Sequence, residues 1–378
     1  MIKYQNPYFT GNEIKNIAST INSKELIGPN NFIMKCENLI EKQLNCKKVF
    51  LTNSGTDALE MACILSNFST SDEIIIPSYN FPSAATAVIR SGAVPVFVDI
   101  CSDDMNISLK SVKKAINQKT KGIILTHYAG ISAEIHEIIK IAKRNNIIVI
   151  EDAAQAIYSK NKNQFLGTIG HFGTISFHQT KNIFCGEGGA LLINKKRFIS
   201  RAHIIREKGT NRNKFIEGKI NKYSWVDIGS SFLPSSLQAA FLYSQLLKGK
   251  VINSKRKIIF QNYHNFFSKI QRKYNIKIPF VAKEKEINGH FYWILVPKEI
   301  RNKFIKIAKK NLIELTTHFE PLHNSKGGKF YGKNYDNLNE TIRLSKEIVR
   351  FPIHTQMTKS MQQQVFKILS KTITECFD

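Results

Sequence analysis

An α/β layered fold is predicted, in which a mostly parallel sheet is covered by crossover helices and a smaller domain follows it. Three observations lead there. Across residues 49–194, short runs rich in Ile and Val alternate with longer amphipathic stretches, the pattern of buried strands joined by helices that return over the sheet. The chain has 378 residues, more than one core sustains, because single cores stop growing at roughly 250 to 300 residues. Beyond Leu237 the alternation gives way to one long helical stretch and then to weaker periodicity, which marks a second unit.

Taken in order, strands are expected at 49–52, 74–76, 95–99, 122–127, 147–151, 174–178 and 190–194, each a compact β-branched run. Between them, 56–66, 83–91, 109–117, 134–145 and 195–207 read as helices, several opening on a capping residue. The segment 237–273 is a long helix, 276–297 alternates weakly, and 301–310 and 358–369 are helical. These elements divide into a large domain over 1–248, whose first residues pack on the other unit, and a small α+β domain over 249–378.

The apolar fraction of 42% and the lack of low-complexity tracts or repeats indicate a folded globular chain. The formal charge of +26 is spread along the whole sequence rather than gathered in a block. It reads as a compositional bias toward Lys, with attraction of an anionic substrate as the alternative. No RNA-recognition, zinc-finger or basic-zipper signature accompanies it, so nucleic acid is not an expected partner. The six cysteines are scattered without a CxxC pair or a His cluster, so neither a metal site nor a disulfide framework is indicated. The N-terminus lacks the apolar core of a signal peptide and no apolar run approaches the roughly 20 residues that span a bilayer. A cytoplasmic protein that does not enter the membrane is expected.

The chemistry gathers around one lysine. Lys181 lies in Ser176-Phe-His-Gln-Thr-Lys-Asn-Ile-Phe-Cys-Gly-Glu-Gly-Gly189, a short distance after the acidic segment Glu151-Asp-Ala-Ala-Gln155. A lysine that forms a Schiff base with pyridoxal phosphate needs a phosphate cradle and an acidic partner for the pyridine nitrogen. Asp152, ending a buried apolar strand, needs a cationic or hydrogen-bonding partner; it is either that acid or a cap for the next turn. Glu151 points to the other side of the strand and reads as structural. Asn53-Ser-Gly-Thr-Asp-Ala-Leu59 links the first strand to a helix. A phosphate can sit there on the helix N-terminus, or the segment is simply a turn with its cap. Gly186-Glu-Gly-Gly189 lets backbone approach closely beside the lysine. Dinucleotide GxGxxG, Walker, GxSxG and HExxH patterns are all missing.

These residues resemble a known family. Pro77-Ser-Tyr-Asn-Phe81, Pro95-Val-Phe-Val-Asp99, Glu151-Asp-Ala-Ala-Gln155, Ser176-Phe-His-Gln-Thr-Lys181 and Gly186-Glu-Gly-Gly-Ala190 follow the order seen in the DegT/DnrJ/EryC nucleotide-sugar aminotransferases. The resemblance implies an aspartate-aminotransferase-like fold, that of fold type I pyridoxal-phosphate enzymes, with a seven-stranded large-domain sheet. By the same resemblance Lys181 is the Schiff-base lysine, Asp152 the pyridine-nitrogen partner and Gln155 the contact to the phenolic oxygen. Gly55, Thr56 and Ser176 match phosphate contacts, and Phe81 matches the aromatic that stacks on the cofactor ring. Ser231 aligns where many members carry an Asn contributed by the neighbouring subunit. A homodimer is implied, because the family's cofactor sites lie at a subunit interface.

Arg206-Glu-Lys-Gly-Thr-Asn-Arg212, Asp227-Ile-Gly-Ser-Ser231, Leu237-Gln-Ala-Ala240 and His127-Tyr-Ala-Gly130 look like the branch that makes dTDP-4-amino-4,6-dideoxygalactose for enterobacterial common antigen. That implies transfer of an amino group from L-glutamate to C4 of dTDP-4-dehydro-6-deoxy-D-glucose. The gluco epimer, or transfer at C3, stays open, and the alternative outside enzymes is a regulator that binds pyridoxal phosphate or a protein that binds nucleic acid. Arg206 to Arg212 is either a diphosphate contact or a solvated helix end. His178, His318 and His323 are not singled out by spacing.

Overall fold

The computed structural model describes residues 1–24, 26 and 31–377. Its large sheet has eight strands. Seven are β1 (Lys48–Thr52), β2 (Glu73–Pro77), β3 (Val94–Val98), β4 (Thr120–Thr126), β5 (Ile148–Asp152), β6 (Phe172–Ser176) and β7 (Gly189–Ile193). Further along the chain come β8 (Tyr292–Leu295), β9 (Lys333–Asn334) and β10 (Ile348–Phe351). Across the sheet the order is β1-β7-β6-β5-β4-β2-β3-β9. Neighbours from β6 through β9 run parallel, whereas β7 is antiparallel to both β6 and β1. The reversal goes with the connection: residues 177–188 joining β6 to β7 contain no helix, and a crossover to a parallel neighbour is usually helical.

The seven expected strands fall within two residues of their expected places, and β6 shows the largest offset. The sequence marks 174–178, but pairing begins at Phe172 and ends at Ser176. Gly170, His171 and Gly173 interrupt the apolar run, yet Phe172 is fully buried between β5 and β7, so sheet pairing overrides local propensity there. The eighth strand, β9, was not expected. Only two residues long, it caps the edge of β3, where Lys333 Nζ lies 3.0 Å from Glu73 Oε1.

Two N-terminal helices were also not anticipated, Glu13–Ser23 and Asn31–Leu44. The second buries Ile33, Cys36, Ile40 and Leu44, a spacing that sets one apolar face against the sheet and the long helix Ser236–Ser268. That long helix opens with a complete capping box between Ser235 and Gln238. Its buried residues up to Ile252 pack with the sheet core, and those from Ile259 onward join a second core with Tyr292, Phe304, Phe351 and Val365. We propose a boundary near residue 248 on that basis. Ile2 reaches the second core by backbone bonds to Leu312 and Glu314 (2.7 and 3.0 Å).

Arg206 faces inward rather than toward a ligand. Its Nη1 donates to Glu37 Oε1 at 2.6 Å, both side chains are nearly inaccessible, and its guanidinium stacks 4.8 Å from the Phe50 ring centroid. Burial pushes the Glu37 carboxyl up, and Arg206 and the Leu51 N–H hold it back. Arg212 pairs with Glu207 (2.8 Å), so this basic segment is occupied by the fold. Arg206→Ala should therefore strand a buried carboxyl and cost about 3 kcal/mol or more in urea unfolding. A loss below about 1 kcal/mol, the range of an exposed pair, would show that the pair is not structurally important.

Candidate active site

The site forms at the carboxyl ends of the parallel strands, where open α/β sheets bind their ligands. Strand alternation sends the last two residues of β5 to opposite faces. Glu151 turns away from the opening and is fully buried, accepting from the backbone N–H groups of Gly167, Ile169 and Gly170 at 2.8, 2.7 and 2.6 Å. His127 Nδ1 accepts from Ala133 N (3.2 Å), so its Nε2 carries the proton and donates to Glu151 Oε2 (2.9 Å). Four donors thus lock the base of the site.

Asp152 turns toward the opening and is 6% exposed. It accepts from Ala154 N at 3.1 Å and from Thr126 Oγ1 at 3.4 Å. Burial raises its carboxyl above the usual range, opposed by the Ala154 N–H, the Lys181 ammonium and His127. Lys181 lies on the β6–β7 connection, its backbone N–H bonded to His178 O at 2.9 Å. Burial lowers its ammonium, while Asp152 draws it back up and Arg350 pushes it further down. Lysine and carboxylate therefore each favour the other's charged form.

Beside them β1 runs into the helix Gly55–Leu65, whose Ser54 cap accepts from Asp57 N at 3.0 Å. Because β1, β7 and β6 are sheet neighbours, Gly55 meets Ser176. A Cβ on Gly55 would lie 2.9 Å from Ser176 Cβ, and one on Gly189 would lie 2.2 Å from Ser54 O. Both positions exclude side chains, so the start of the helix packs directly against β6 and β7. Thr56 Oγ1 sits 2.6 Å from Ser83 Oγ at the start of the helix Ser83–Arg90. Hydroxyls and the positive end of a helix dipole together suit a phosphate.

Gln155 Oε1 accepts from Ala129 N at 2.7 Å, which leaves its Nε2 as the donor end. Ala129 holds a left-handed φ of 56° in the turn after β4. Phe81, at the mouth after β2, is 58% exposed and lies 6.0 Å from the Phe319 ring, so one ring face is available. Ser231 is exposed; its carbonyl accepts from Asn53 Nδ2 at 2.9 Å, just ahead of Gly55. The fold thus gathers Lys181, Asp152, Gln155, Gly55, Thr56 and Ser176 at one end of the sheet, with Phe81 at the mouth and Ser231 on the rim.

A buried acid, a half-buried amine, a phosphate cradle and an exposed aromatic face match the parts of pyridoxal phosphate, so the residues present fit that cofactor. Sequence reasoning passed over three features of the site. Ser83 had a signal, a hydroxyl opening an expected helix. Tyr128, whose hydroxyl lies 2.6 Å from His318 Nδ1, stood only inside the segment His127-Tyr-Ala-Gly130 without a role of its own, and Arg350 had no signal. Of the other histidines, His323 Nδ1 bonds Ser78 Oγ (2.6 Å) and His178 Nδ1 bonds Thr180 Oγ1 (2.8 Å).

Because Lys181 has a lowered folded pKa, the unfolded chain binds more protons than the cofactor-free native state below the ordinary lysine value. Native stability from this group rises with pH through that window, by at most about 1.4 kcal/mol per unit. In urea titrations of cofactor-free protein, wild type should gain stability relative to Lys181→Met as pH rises toward 10.5. Parallel pH curves would place Lys181 in water.

A family model described as the DegT/DnrJ/EryC1/StrS aminotransferase family matches residues 7–370. The chain is 29% identical over 323 residues to GDP-perosamine synthase of Escherichia coli O157:H7, covering 84% of each. It is 27% identical over 330 residues to dTDP-4-dehydro-2,3,6-trideoxy-D-glucose 4-aminotransferase of Saccharopolyspora spinosa, covering 85% of each. Its fold superposes on the aminotransferase of Psychrobacter cryohalolentis with a TM-score of 0.93 at 21% identity, over the full length of both. The fold is that of type I pyridoxal-phosphate aminotransferases, and pyridoxal 5'-phosphate is the cofactor. With cofactor, fold and sequence model in agreement over nearly its whole length, the chain belongs to the DegT/DnrJ/EryC1/StrS family as a pyridoxal-phosphate-dependent nucleotide-sugar aminotransferase.

Proposed function

We propose that the protein moves the amino group of L-glutamate to C4 of dTDP-4-dehydro-6-deoxy-D-glucose. The product is dTDP-4-amino-4,6-dideoxygalactose, for a surface glycan such as enterobacterial common antigen. The observation that carries the amino-transfer reading is the half-buried Lys181 and the buried Asp152 beside the Gly55 and Ser176 cradle. The C4 assignment is supported by the 4-aminotransferase among the relatives. The galacto product is supported by the segments around Arg206, Asp227, Leu237 and His127 quoted above.

When bound, the cofactor supplies an electron sink that lets the amino-acid carbon lose its proton and amine. Lys181 holds the cofactor covalently and, once displaced, its lowered proton affinity lets it take a proton from the substrate carbon and return it. Asp152, an anion short of partners, holds the proton on the pyridine nitrogen. Gln155 Nε2 would donate to the phenolic oxygen, and Phe81 would cover one ring face. Gly55, Thr56 and Ser176 hold the phosphate. Ser231, on the rim, would contact the phosphate in the partner subunit's site, as the resemblance implies.

A homodimer is part of the proposal. Phe215, Tyr223, Trp225, Val226 and Ile228 are exposed on the segment leading to Ser231, Trp225 by 80%, and such clustered apolar surface is characteristic of an interface. No helix among the described residues is long and apolar enough to cross a membrane, and we propose that the enzyme works in the cytoplasm.

The test follows absorbance of protein reconstituted with pyridoxal phosphate. The visible band should bleach with L-glutamate and return with the dTDP keto-sugar, while the preparation sediments as a dimer. Lys181→Ala should do neither, with turnover down by about a thousandfold or more. The proton coupling between C3 and C4 of the product then decides the epimer. A small coupling supports galacto, a large one gives gluco, and amination at C3 would overturn the C4 assignment.

A further inference from the structure

The residues on both sides of Lys181 are held by parts of the chain remote from it. On one side Thr180 O accepts from Gln5 Nε2 at 2.9 Å. The segment carrying Gln5 is itself tied down by Ile2 N to Leu312 O and by Tyr4 N to Glu314 Oε2, at 2.7 and 2.8 Å. On the other side Asn182 makes three side-chain bonds. Its Nδ2 donates to Asn253 Oδ1 at 3.0 Å and to Asn288 O at 3.1 Å, and its Oδ1 lies 2.9 Å from His290 Nδ1. Asn253 stands on the long helix, and residues 288–290 lead into β8. A backbone carbonyl only accepts, so Asn182 Nδ2 has to face Asn288 O. Its Oδ1 therefore faces His290, whose Nδ1 carries the proton. Burial, followed by the charges of Lys181, Arg256 and Arg350, pushes the His290 imidazole well below its usual value, so that proton is its only one.

The same network continues to Gln155. Asn288 Nδ2 donates to Gln155 O at 2.9 Å and to Ile157 O at 3.2 Å, Asn253 Nδ2 donates to Ile157 O at 3.0 Å, and Asn288 Oδ1 accepts from His290 N at 3.1 Å. Asn182, Asn253, Asn288 and His290 are all buried. They also pack without slack, since a Cβ on Gly130 would lie 2.1 Å from Asn288 Oδ1 and 3.0 Å from Gln155 O. Apolar side chains could fill this space equally well. What a buried network of paired amides adds is a single allowed geometry. Here that geometry fixes the spacing between Gln155 and the residue after Lys181, in a connection that has no helix of its own.

We propose that Asn182 is a positioning residue for Lys181: bound through Asn288 to the backbone of Gln155, it sets where the lysine amine meets the aldehyde of the cofactor. The inference rests on the reading above in which Lys181 anchors the cofactor. In that step Nζ adds to the aldehyde carbon, a carbon–nitrogen double bond replaces the carbon–oxygen one, and water leaves. The same placement serves each time the lysine, displaced by an amino group, returns.

The test separates joining from binding. Cofactor-free wild type, Asn182→Ala, His290→Leu and His290→Asn are mixed with saturating pyridoxal phosphate, and growth of the visible band gives the rate of linkage. Affinity for pyridoxamine phosphate, which has no aldehyde and binds without linkage, is measured by titration calorimetry. A misplaced amine should slow linkage about tenfold or more in Asn182→Ala, while affinity for pyridoxamine phosphate stays within about threefold of wild type. His290→Leu, which removes one of the three bonds and leaves Asn182 in place, should slow linkage about threefold, and His290→Asn, whose amide nitrogen can stand where Nδ1 stood, should restore it. Linkage at the wild-type rate in both Asn182→Ala and His290→Leu, or equal losses of linkage rate and pyridoxamine phosphate affinity, would overturn the assignment of Asn182. A visible band that wild type fails to form, or that Lys181→Ala retains, would instead overturn the anchor reading and this inference with it.

Discussion

The burial of Asp152 at the carboxyl end of β5 is the constraint to which the rest of the site answers. A carboxylate removed from water costs several kcal/mol unless charges and hydrogen bonds compensate. This one receives a single good backbone donor and a long contact from Thr126. The remainder has to come from a cation, either Lys181 or the protonated nitrogen of the cofactor. One residue earlier, Glu151 has four donors and no opening. Two adjacent carboxylates on one strand thus have different tasks because a strand presents alternate faces.

The sheet order supplies the means of compensation. Without a crossover helix between β6 and β7, the chain reverses at the carboxyl end of the sheet and leaves Lys181 there. The placement of β7 between β1 and β6 also brings Ser54 and Gly55 against Gly189 and Ser176, residues more than a hundred positions apart in sequence. Neither contact tolerates a Cβ, so the glycines are required by space. Strands β8 and β10 pair with each other and bring Arg350 and the ring of Phe291 together, and the charge of Arg350 acts on Lys181.

Much of this was legible in the sequence, and the reasons are local. The strands of 49–194 are fully buried and read as continuous apolar runs, and Lys181 stood out because the acid before it and the glycines after it are close in sequence. The helices at Glu13–Ser23 and Asn31–Leu44 were passed over, although Ile33, Cys36, Ile40 and Leu44 carry a helical period. The start of β6 was hidden because Gly170, His171 and Gly173 are poor strand formers that only pairing makes regular. Arg206 read as a ligand contact or a solvated end because its partner Glu37 is remote in sequence. Arg350 was invisible for the same reason: an arginine in a short strand has no signal until Tyr4 and Phe291 are seen to enclose it.

The claim that Lys181 is the covalent anchor can be tested without turnover. Protein reconstituted with pyridoxal phosphate is reduced with borohydride, digested, and its modified peptide sequenced by mass spectrometry. The account predicts one phosphopyridoxyl group, on Lys181. A label on a different lysine, or one spread over the many lysines of this basic chain, would contradict it.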